Sequence, residues 1–328
     1  MMGLADGGVI ATGKHFPGRG DSAVDAHHTL PVLNVPRSRL DAVELFPYKK
    51  LISKGLPAVM TAHNAYTALD ESGLPASISH EIVTGVLRGE LGFRGVVTTD
   101  AMSMAGLRAI CSTPEGCARA IAAGNDLVLI KECDDTPFKS FEAIKRYVQR
   151  GKIPESQLDQ SVRRILAMKL RYRIFSRRYV KPEGADRAVR DPITVRTAKE
   201  AARKCLTLVR GETRLLPLSP KRKIMVLLPI HILYHEKGND YWAAPGRLYQ
   251  AIRRYAPDAA LFEFAVPASS AAIRHAVRRS AEFDVVVACN LVWRGPPSSH
   301  QIIRRLVRAG RKVVVVSNSN YDDRFLPE

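Results

Sequence analysis

Residues 87–104, LRGELGFRGVVTTDAMSM, contain the element that decides the fold. A helical pattern ends at a glycine, and the short strand-forming run that follows is closed by the carboxylate of Asp100. An uninterrupted run of this kind predicts a strand buried on both faces, as in a parallel sheet. A carboxylate at the end of a buried strand needs hydrogen-bond partners or a nearby charge to stay ionised, so Asp100 is a candidate functional residue.

The same alternation of strands and helices extends to both sides of this element. Helices are predicted at 39–55, 79–92 and 115–124, and strands at 8–13, 57–63, 95–100 and 126–131. Strands that are separated by helices pair in parallel, because the helix carries the chain back across the sheet. The order therefore predicts an α/β domain over residues 1–178.

A second domain is predicted after a polar segment that contains proline and glycine. We interpret this segment, residues 179–195, as a linker. Beyond it, apolar runs alternate with helical patterns, at 223–229, 259–266, 284–290 and 312–318. This alternation predicts a three-layer α/β/α sandwich over residues 196–328.

The composition is that of a globular protein and argues against several classes. No apolar run approaches the roughly 18 residues of a membrane span, and the first residues lack the pattern of a signal peptide, so a cytoplasmic location is expected. Five cysteines without a CxxC pair argue against a disulfide framework or a structural zinc site. The net charge of +18 is spread along helix faces and is not interleaved with aromatic residues, which favours a solvated surface over nucleic-acid binding.

Polar residues follow all four predicted strands of the first domain. They are Lys14 and His15, His63 and Asn64, Asp100, and Lys131 and Glu132. The carboxyl ends of parallel strands meet at one edge of the sheet, where substrates bind in α/β folds. Loops also begin at this edge, so a structural origin accounts for polar residues there equally well.

The loop 14–31, KHFPGRGDSAVDAHHTLP, is rich in ionisable groups, and its glycines and prolines exclude a regular helix. A solvated loop and a functional loop are equally consistent with this stretch. Asp25 and His27 are two residues apart, and in an extended segment such side chains point the same way. Asp25 then fixes the tautomer of His27 and raises its basicity. The residues therefore indicate Asp100 as a nucleophile and Asp25 with His27 as an acid/base dyad.

Four stretches together resemble glycoside hydrolase family 3, and within it the β-N-acetylglucosaminidase (β-N-acetylhexosaminidase) branch. They are KHFPGRGDSAVDAHHTLP (14–31), PAVMTAHNAY (57–66), LRGELGFRGVVTTDAMSM (87–104) and GKIPESQLDQSVRRILAMK (151–169). The resemblance runs from about residue 8 to about residue 180, and more weakly through the second domain. The fold of this family is a (β/α)8 TIM barrel, often followed by an α/β/α sandwich.

The resemblance implies a retaining glycoside hydrolase that acts on terminal β-linked N-acetylglucosamine, from peptidoglycan or chitin, in carbohydrate metabolism and cell-wall recycling. It makes Asp100 the nucleophile that forms a glycosyl-enzyme intermediate. The Asp-Ser-His acid/base motif of the family falls on Asp25, Ala26 and His27. The sequence implies no cofactor and no metal.

The same resemblance places Lys14 and His15 on positions that bind the sugar, and His63 on a position near it. A neutral imidazole does not repel a second anion, so such enzymes can use phosphate as well as water as the acceptor. Two residues depart from the family pattern. Ala26 replaces a serine, and Arg19 stands where a histidine is common.

The resemblance further implies that the chain supplies only part of the family's architecture. The strand that carries Lys14 and His15 is the fifth of the family's barrel, so we expect strands five to eight and then a partial sandwich. A half barrel leaves two strand edges unpaired and its interior uncovered. Such a chain is expected to pair with a complementary N-terminal barrel segment or with itself, and not with nucleic acid or a membrane.

Two alternatives remain open. One is an inactive or complementation-dependent fragment that keeps the motifs by descent. The other is a metal-dependent hydrolase, although no HxH or HExxH pair defines a ligand face. Its candidate ligands are His15, Asp25, His27 and His63.

Overall fold

The computed structural model describes residues 1–22, 24–176, 178–179, 181–209, 211, 215–230, 245–265, 268–290 and 299–317. They form two compact units, Met1–Arg190 and Asp191–Glu328. Over the described ranges, no helix combines the length and the apolar character that a membrane crossing requires. The five cysteines carry free thiols.

The first unit is built on a parallel sheet, as the alternation of strands and helices predicts. Its described strands are β1 (Thr12–Phe16), β2 (Val32–Leu33), β3 (Ala58–Thr61), β4 (Ala65–Tyr66), β5 (Val96–Ala101) and β6 (Leu127–Leu129). The main sheet has the order β1-β3-β5-β6, and each of its pairs is parallel. The strands β2 and β4 form a separate parallel pair.

Helices precede, connect and follow these strands. They are α1 (Met2–Asp6), α2 (Arg37–Ala42), α3 (Phe46–Ile52), a π-helix (Glu81–Glu90), α4 (Ala105–Arg108), α5 (Thr113–Ala123), α6 (Thr136–Gln149), α7 (Glu155–Arg171) and α8 (Ala185–Val189). Short 3₁₀ turns occupy Ala76–Ile78 and Pro182–Gly184.

Two predicted boundaries in this unit are wrong. The helix predicted at 39–55 is divided into α2 and α3, because Pro47 lacks an N–H group and is suited to the first turn of a new helix. The strand predicted at 8–13 lies at Thr12–Phe16, since Gly8, at φ +73°, belongs to the turn that follows α1. Lys14 and His15 therefore lie inside β1.

One face of the main sheet is packed against helices. Phe16, Val59 and Val97 share a core with Leu40 of α2 and Leu87 of the π-helix, and all five are 0% exposed. Burying an apolar side chain of this size contributes about 1.5 to 3 kcal/mol, so this face contributes substantially to the stability of the unit.

The opposite face is only partly covered. The register aligns Lys14, Met60, Thr98 and Leu127 across the four strands. Their neighbours Val59 and Val97 point into the core, so this row points the other way. Lys14 and Leu127 are exposed, and Met60 and Thr98 are half-buried. We call this row, together with Leu129, the open face.

The second unit is a three-layer sandwich. Its described elements are α9 (Pro192–Cys205), β7 (Ile224–Ile230), α10 (Pro245–Arg253), β8 (Ala260–Ala265), α11 (Ser270–Arg279), β9 (Val285–Asn290), α12 (His300–Arg308) and β10 (Val313–Ser317). The strand order is β10-β9-β7-β8, and every pair is parallel. Residues 266 and 318, at the ends of two predicted strands, lie outside the described residues.

The two faces of this second sheet carry different apolar clusters. Met225 and Leu227 of β7 pack in one cluster with Ile302 of α12. Ile224 and Val226 of the same strand pack in the other, on the side of α10. A strand that is buried on both sides has a continuous apolar sequence, and β7 has this pattern.

The helix α9 begins inside the segment that the sequence predicts as a linker. Asp191 precedes it and accepts a hydrogen bond from the backbone N–H of Thr194, and Pro192 occupies the first turn. Both features are typical helix start signals, and they extend the helix upstream of the pattern that begins at Arg196.

Candidate active site

The strands β1 and β5 flank β3 in the sheet, and they bring the side chains of His15 and Asp100 together. The imidazole Nε2 of His15 lies 3.4 Å from Oδ2 of Asp100, and the two side chains are 20% and 17% exposed. Burial lowers the pKa of His15, although the Asp100 carboxylate acts in the opposite direction. A neutral imidazole at this position can donate a hydrogen bond to the carboxylate without neutralising it. Lys14 lies close enough to contribute to the electrostatic environment of His15.

The loop after β1 places Asp25 and His27 in direct contact. Oδ1 of Asp25 accepts hydrogen bonds from Nδ1 of His27 at 2.7 Å and from the backbone N–H of His27 at 2.9 Å. Arg19 donates to the same oxygen at 3.2 Å. Burial opposes ionisation of Asp25, but the hydrogen bonds from His27 and the charge of Arg19 outweigh it and lower the pKa of Asp25 to about 2. The ionised carboxylate keeps the proton on Nδ1, so Nε2 is the nitrogen available for proton exchange.

The first half of this loop is anchored by polar contacts. Gly18 has φ +139°, and a Cβ there would lie 2.8 Å from Cβ of Glu44. The hydroxyl of Tyr66 donates to the carbonyl of Gly18 at 2.7 Å. Arg39 binds both carboxylate oxygens of the buried Glu44 at 2.8 Å, and also Asp21 at 2.8 Å. These contacts fix the backbone on both sides of Arg19.

His63, which follows β3, lies beneath Asp100. It is 1% exposed. Its Nε2 is 3.0 Å from the carbonyl of Ala101, and its Nδ1 is 2.7 Å from the hydroxyl of Ser77. Because a carbonyl only accepts, Nε2 carries the proton and Nδ1 accepts from Ser77. Burial lowers the pKa of His63, so the imidazole stays neutral and keeps this tautomer.

The dyad loop is also joined to the segment that follows β5. The backbone N–H of Gly106 in α4 donates to the carbonyl of Ala26 at 2.9 Å. A Cβ at Gly106 would lie 2.9 Å from the carbonyl of Thr29 and 3.3 Å from that of His63. Three segments thus meet at a position where only glycine fits without a shift.

Five of the six predicted site residues therefore form two contacting pairs and one supporting residue, and the sixth, Lys14, is exposed on β1. His15 contacts Asp100, Asp25 contacts His27, and His63 binds the carbonyl next to Asp100. In the ranges that the structure describes, no three His, Cys, Asp or Glu side chains are grouped so as to hold a metal ion.

Several contributing residues carry no sequence signal of their own. Ser77 lies 14 positions after His63, and Tyr66 lies 48 positions after Gly18, so neither contact follows from local spacing. Gly106 looks like an ordinary helix glycine until the backbone atoms around it are known. Arg19 is visible in the sequence as an extra charge, but its bond to Asp25 is not.

The Glycosyl hydrolase family 3 N terminal domain matches residues 1–168, half of the chain. The chain belongs to glycosyl hydrolase family 3. A β-hexosaminidase from Alkalilimnicola ehrlichii is 42% identical over 130 residues, which are 40% of this chain and 37% of that protein. A β-N-acetylglucosaminidase/β-glucosidase from Cellulomonas fimi is 31% identical over 230 residues, which are 67% of this chain and 40% of that protein.

A solved family 3 structure covers almost the whole chain. The β-N-acetylglucosaminidase from Paenibacillus sp. str. FPU-7 matches 97% of this chain with a TM-score of 0.84 and 31% identity, and 60% of that chain is covered. This family 3 chain thus spans less than two thirds of the length of each of these three relatives. The resemblance to the β-N-acetylglucosaminidase branch is confirmed, and the TIM-barrel-like α/β class of the first unit with it.

Proposed function

We propose that this chain carries the catalytic residues of a retaining glycoside hydrolase acting on terminal β-linked N-acetylglucosamine. The observation that supports it is the pairing of His15 with Asp100 and of Asp25 with His27 in a family 3 chain. The names of the relatives from Alkalilimnicola and Paenibacillus, a β-hexosaminidase and a β-N-acetylglucosaminidase, point to the same substrate class.

In the first step, Asp100 attacks the anomeric carbon of the sugar and the glycosidic C–O bond breaks. His27 donates its Nε2 proton to the departing oxygen, while Asp25 stabilises the imidazole through Nδ1. The product is an ester between the sugar and Asp100, and the aglycone leaves as an alcohol. Since Asp25 stays ionised far below neutral pH, it accepts the hydrogen bond from Nδ1 before and after this step, so the proton that His27 gives up is the one on Nε2.

In the second step, the neutral His27 accepts a proton from water as the water oxygen attacks the same carbon. The ester bond to Asp100 breaks, and the carboxylate is restored with net retention of configuration. A phosphate ion can take the place of water, because a neutral imidazole does not repel it. The products then distinguish hydrolysis from phosphorolysis.

Lys14, His15 and His63 are proposed to hold the sugar against Asp100. Lys14 and His15 supply hydrogen-bond donors from β1, next to the nucleophile. His63 has both nitrogens occupied by Ser77 and Ala101. Its proposed role is therefore to position the backbone that carries Asp100 and not to exchange protons.

A second candidate function follows from the open face. We propose that β1, β3, β5 and β6 correspond to strands five to eight of a (β/α)8 barrel, with the sandwich after them. The partial exposure of Met60, Thr98 and Leu127 favours a chain that needs a complementary barrel segment for activity. Such a segment would both cover this face and complete the sugar site.

The test is hydrolysis of an aryl N-acetyl-β-glucosaminide by the purified chain, alone and with the N-terminal half of a related family 3 barrel. Asp100→Asn is the catalytic variant, and Asp135→Asn, in an exposed pair with Lys139, is the matched control. Activity that Asp100→Asn lowers about a thousandfold or more, and Asp135→Asn does not, supports the enzyme. Activity only after addition of the second half supports the complementation-dependent fragment. Activity equal in the wild type and Asp100→Asn contradicts the mechanism.

A further inference from the structure

Three donors converge on a single oxygen of Asp25. They are Nδ1 of His27, the backbone N–H of His27 and Nη2 of Arg19. The imidazole of His27 and the guanidinium of Arg19 compete for the negative charge of Asp25. Each cation is stabilised by the carboxylate, the imidazole only once it is protonated. His27, Asp25 and Arg19 therefore form a triad in which the carboxylate lies between the imidazole and the permanently charged guanidinium.

The position of Arg19 is set by the fold and not by the charge alone. Gly18 is fixed by Tyr66 and packs against the side chain of Glu44, and a Cβ at Gly20 would lie 2.9 Å from Oε1 of Glu44. The side chain of Arg19 is 28% exposed, so its charge is screened by solvent only in part.

We propose that Arg19 is a positioning residue that limits how strongly Asp25 holds a proton on His27, and so sets the pH at which the acid/base histidine releases it. This inference rests on the proposed function, in which His27 must be protonated in the first step and neutral in the second. A cation that shares the carboxylate favours the neutral imidazole. Arg19 thus shifts the working range of the dyad to lower pH and assists the second step.

Other charged groups near the dyad stay constant in the test. On β1 and at the ends of β3 and β5 they are Lys14, His15, His63 and Asp100, and at the base of the loop they are Asp21, Arg39 and Glu44. The charge of Arg19 also lowers the pKa of His15 and of His63. A shift in the activity profile is therefore assigned to the dyad only when the titration of His27 itself moves in the same direction.

The variants are Arg19→Gln, which removes the charge, and Arg19→Lys, which keeps it. Arg150→Gln removes one exposed arginine charge at the end of α6 and controls for net charge. The readout is the alkaline limb of kcat/KM, where the loss of the His27 proton ends the first step. We expect Arg19→Gln to move this limb to higher pH by about 0.5 to 1 pH unit, and the other two variants to leave it in place.

A second measurement does not depend on activity. The imidazole of His27 is titrated by NMR in the same variants, with its signal assigned from its loss in His27→Gln. If the chain shows no glycosidase activity, this titration still tests the role of Arg19 while the proposed function fails. Arg19→Ala replaces Arg19→Gln if the latter does not fold.

Retention of the proton to higher pH in Arg19→Gln, but not in Arg19→Lys, supports the proposal. Equal titration of His27 in wild type and Arg19→Gln overturns it. Equal shifts in Arg19→Gln and Arg19→Lys overturn it as well, because they indicate a steric effect and not one of charge.

Discussion

At the scale of single residues, His63 makes the stability of the first unit depend on pH. Burial lowers its folded-state pKa below the usual value of about 6.5. The unfolded chain therefore takes up the proton first as the pH falls. The stability that the neutral form contributes is present above about pH 6.5 and is lost as the pH falls through the lowered folded value.

We predict that His63→Gln destabilises the chain by about 1 to 3 kcal/mol at pH 7.5, because it disturbs the hydrogen bonds to Ala101 and Ser77. The difference from wild type should shrink as the pH is lowered to 5, where the wild type has begun to lose the contribution of His63. Calorimetric melting temperatures at several pH values measure this. His28→Gln, in an exposed position of the loop after β1, is the control and should leave the pH dependence unchanged. A difference that is constant from pH 7.5 to 5 contradicts the prediction.

The contacts that the sequence predicts at this scale are those that depend on short spacing. Asp25 and His27 are two residues apart and are in contact at 2.7 Å. The extended segment expected there is wrong, because residues 25–28 form a turn in which the N–H of His28 donates to the carbonyl of Asp25 and the carboxylate of Asp25 accepts from the N–H of His27. His15 and Asp100 are 85 positions apart, and they could be brought together only by assuming that the strand ends share one edge. The contact of His63 with Ser77 needs the path of the chain after β3, which no pattern in the sequence encodes.

At the scale of elements, Asp126 joins four segments of the first unit. Its side chain is 0% exposed. One oxygen accepts from Arg88 of the π-helix at 2.7 Å and from the N–H of Val97 in β5 at 2.8 Å. The other accepts from Ser161 and Arg164 of α7 at 2.7 and 2.9 Å. This carboxylate, directly before β6, ties both helices to the amino end of the sheet.

We predict that Asp126→Asn destabilises the first unit by about 3 to 5 kcal/mol, since it leaves the buried Arg88 without its counter-charge. Asp135→Asn, in which the lost partner is the exposed Lys139, should cost less than about 0.5 kcal/mol. Thermal unfolding followed by circular dichroism compares the two variants. Similar losses in both would mean that the Asp126 network contributes no more than a surface ion pair.

Gly106 is the second junction between elements. A side chain there collides with the carbonyls of Thr29 and His63 and displaces the loop that carries His27. We predict that Gly106→Val lowers kcat by about tenfold to a hundredfold, because a shift of about 1 Å in a catalytic group has that effect. Gly184→Val, where a Cβ meets nothing within 4 Å, should leave kcat unchanged. Wild-type kcat in a folded Gly106→Val variant would show that the loop is not positioned through this contact.

The elements themselves are largely predictable, because their signals are local. The strand β5 and the helix α5 lie within two residues of their predicted positions, at Val96–Ala101 and Thr113–Ala123. The apolar spacing predicts one helix over 39–55 because it continues through the break between α2 and α3. Only Pro47 indicates where the second helix begins. A periodic pattern records which side is buried and does not record where the axis of the helix changes.

At the scale of the whole molecule, the open face decides how the first unit behaves in solution. Leu127 and Leu129 of β6 are 40% and 44% exposed, although they belong to a parallel sheet. Parallel sheets are ordinarily covered on both faces, so these partly exposed leucines lie where the proposed complementary barrel segment would cover the sheet. The strands β1 and β6, at the two ends of the strand order, add edges that can pair with further strands.

We predict that the double variant Leu127→Thr, Leu129→Thr binds less of a hydrophobic fluorescent dye and self-associates less at micromolar concentration than the wild type. Because both leucines are already partly in water, the melting temperature should fall by only a few degrees, an effect of about 1 kcal/mol. Dye fluorescence and sedimentation velocity provide the two measurements. The matched control is Leu166→Thr, Leu170→Thr, which removes two leucines that are 43% and 65% exposed on α7. If both double variants lower dye binding equally, the effect is one of general surface hydrophobicity and the open face is not a docking surface. The other outcome is that only the β6 variant lowers dye binding. If, in addition, the N-terminal half of a related barrel suppresses the dye signal of the wild type, the open face is the surface on which that half docks.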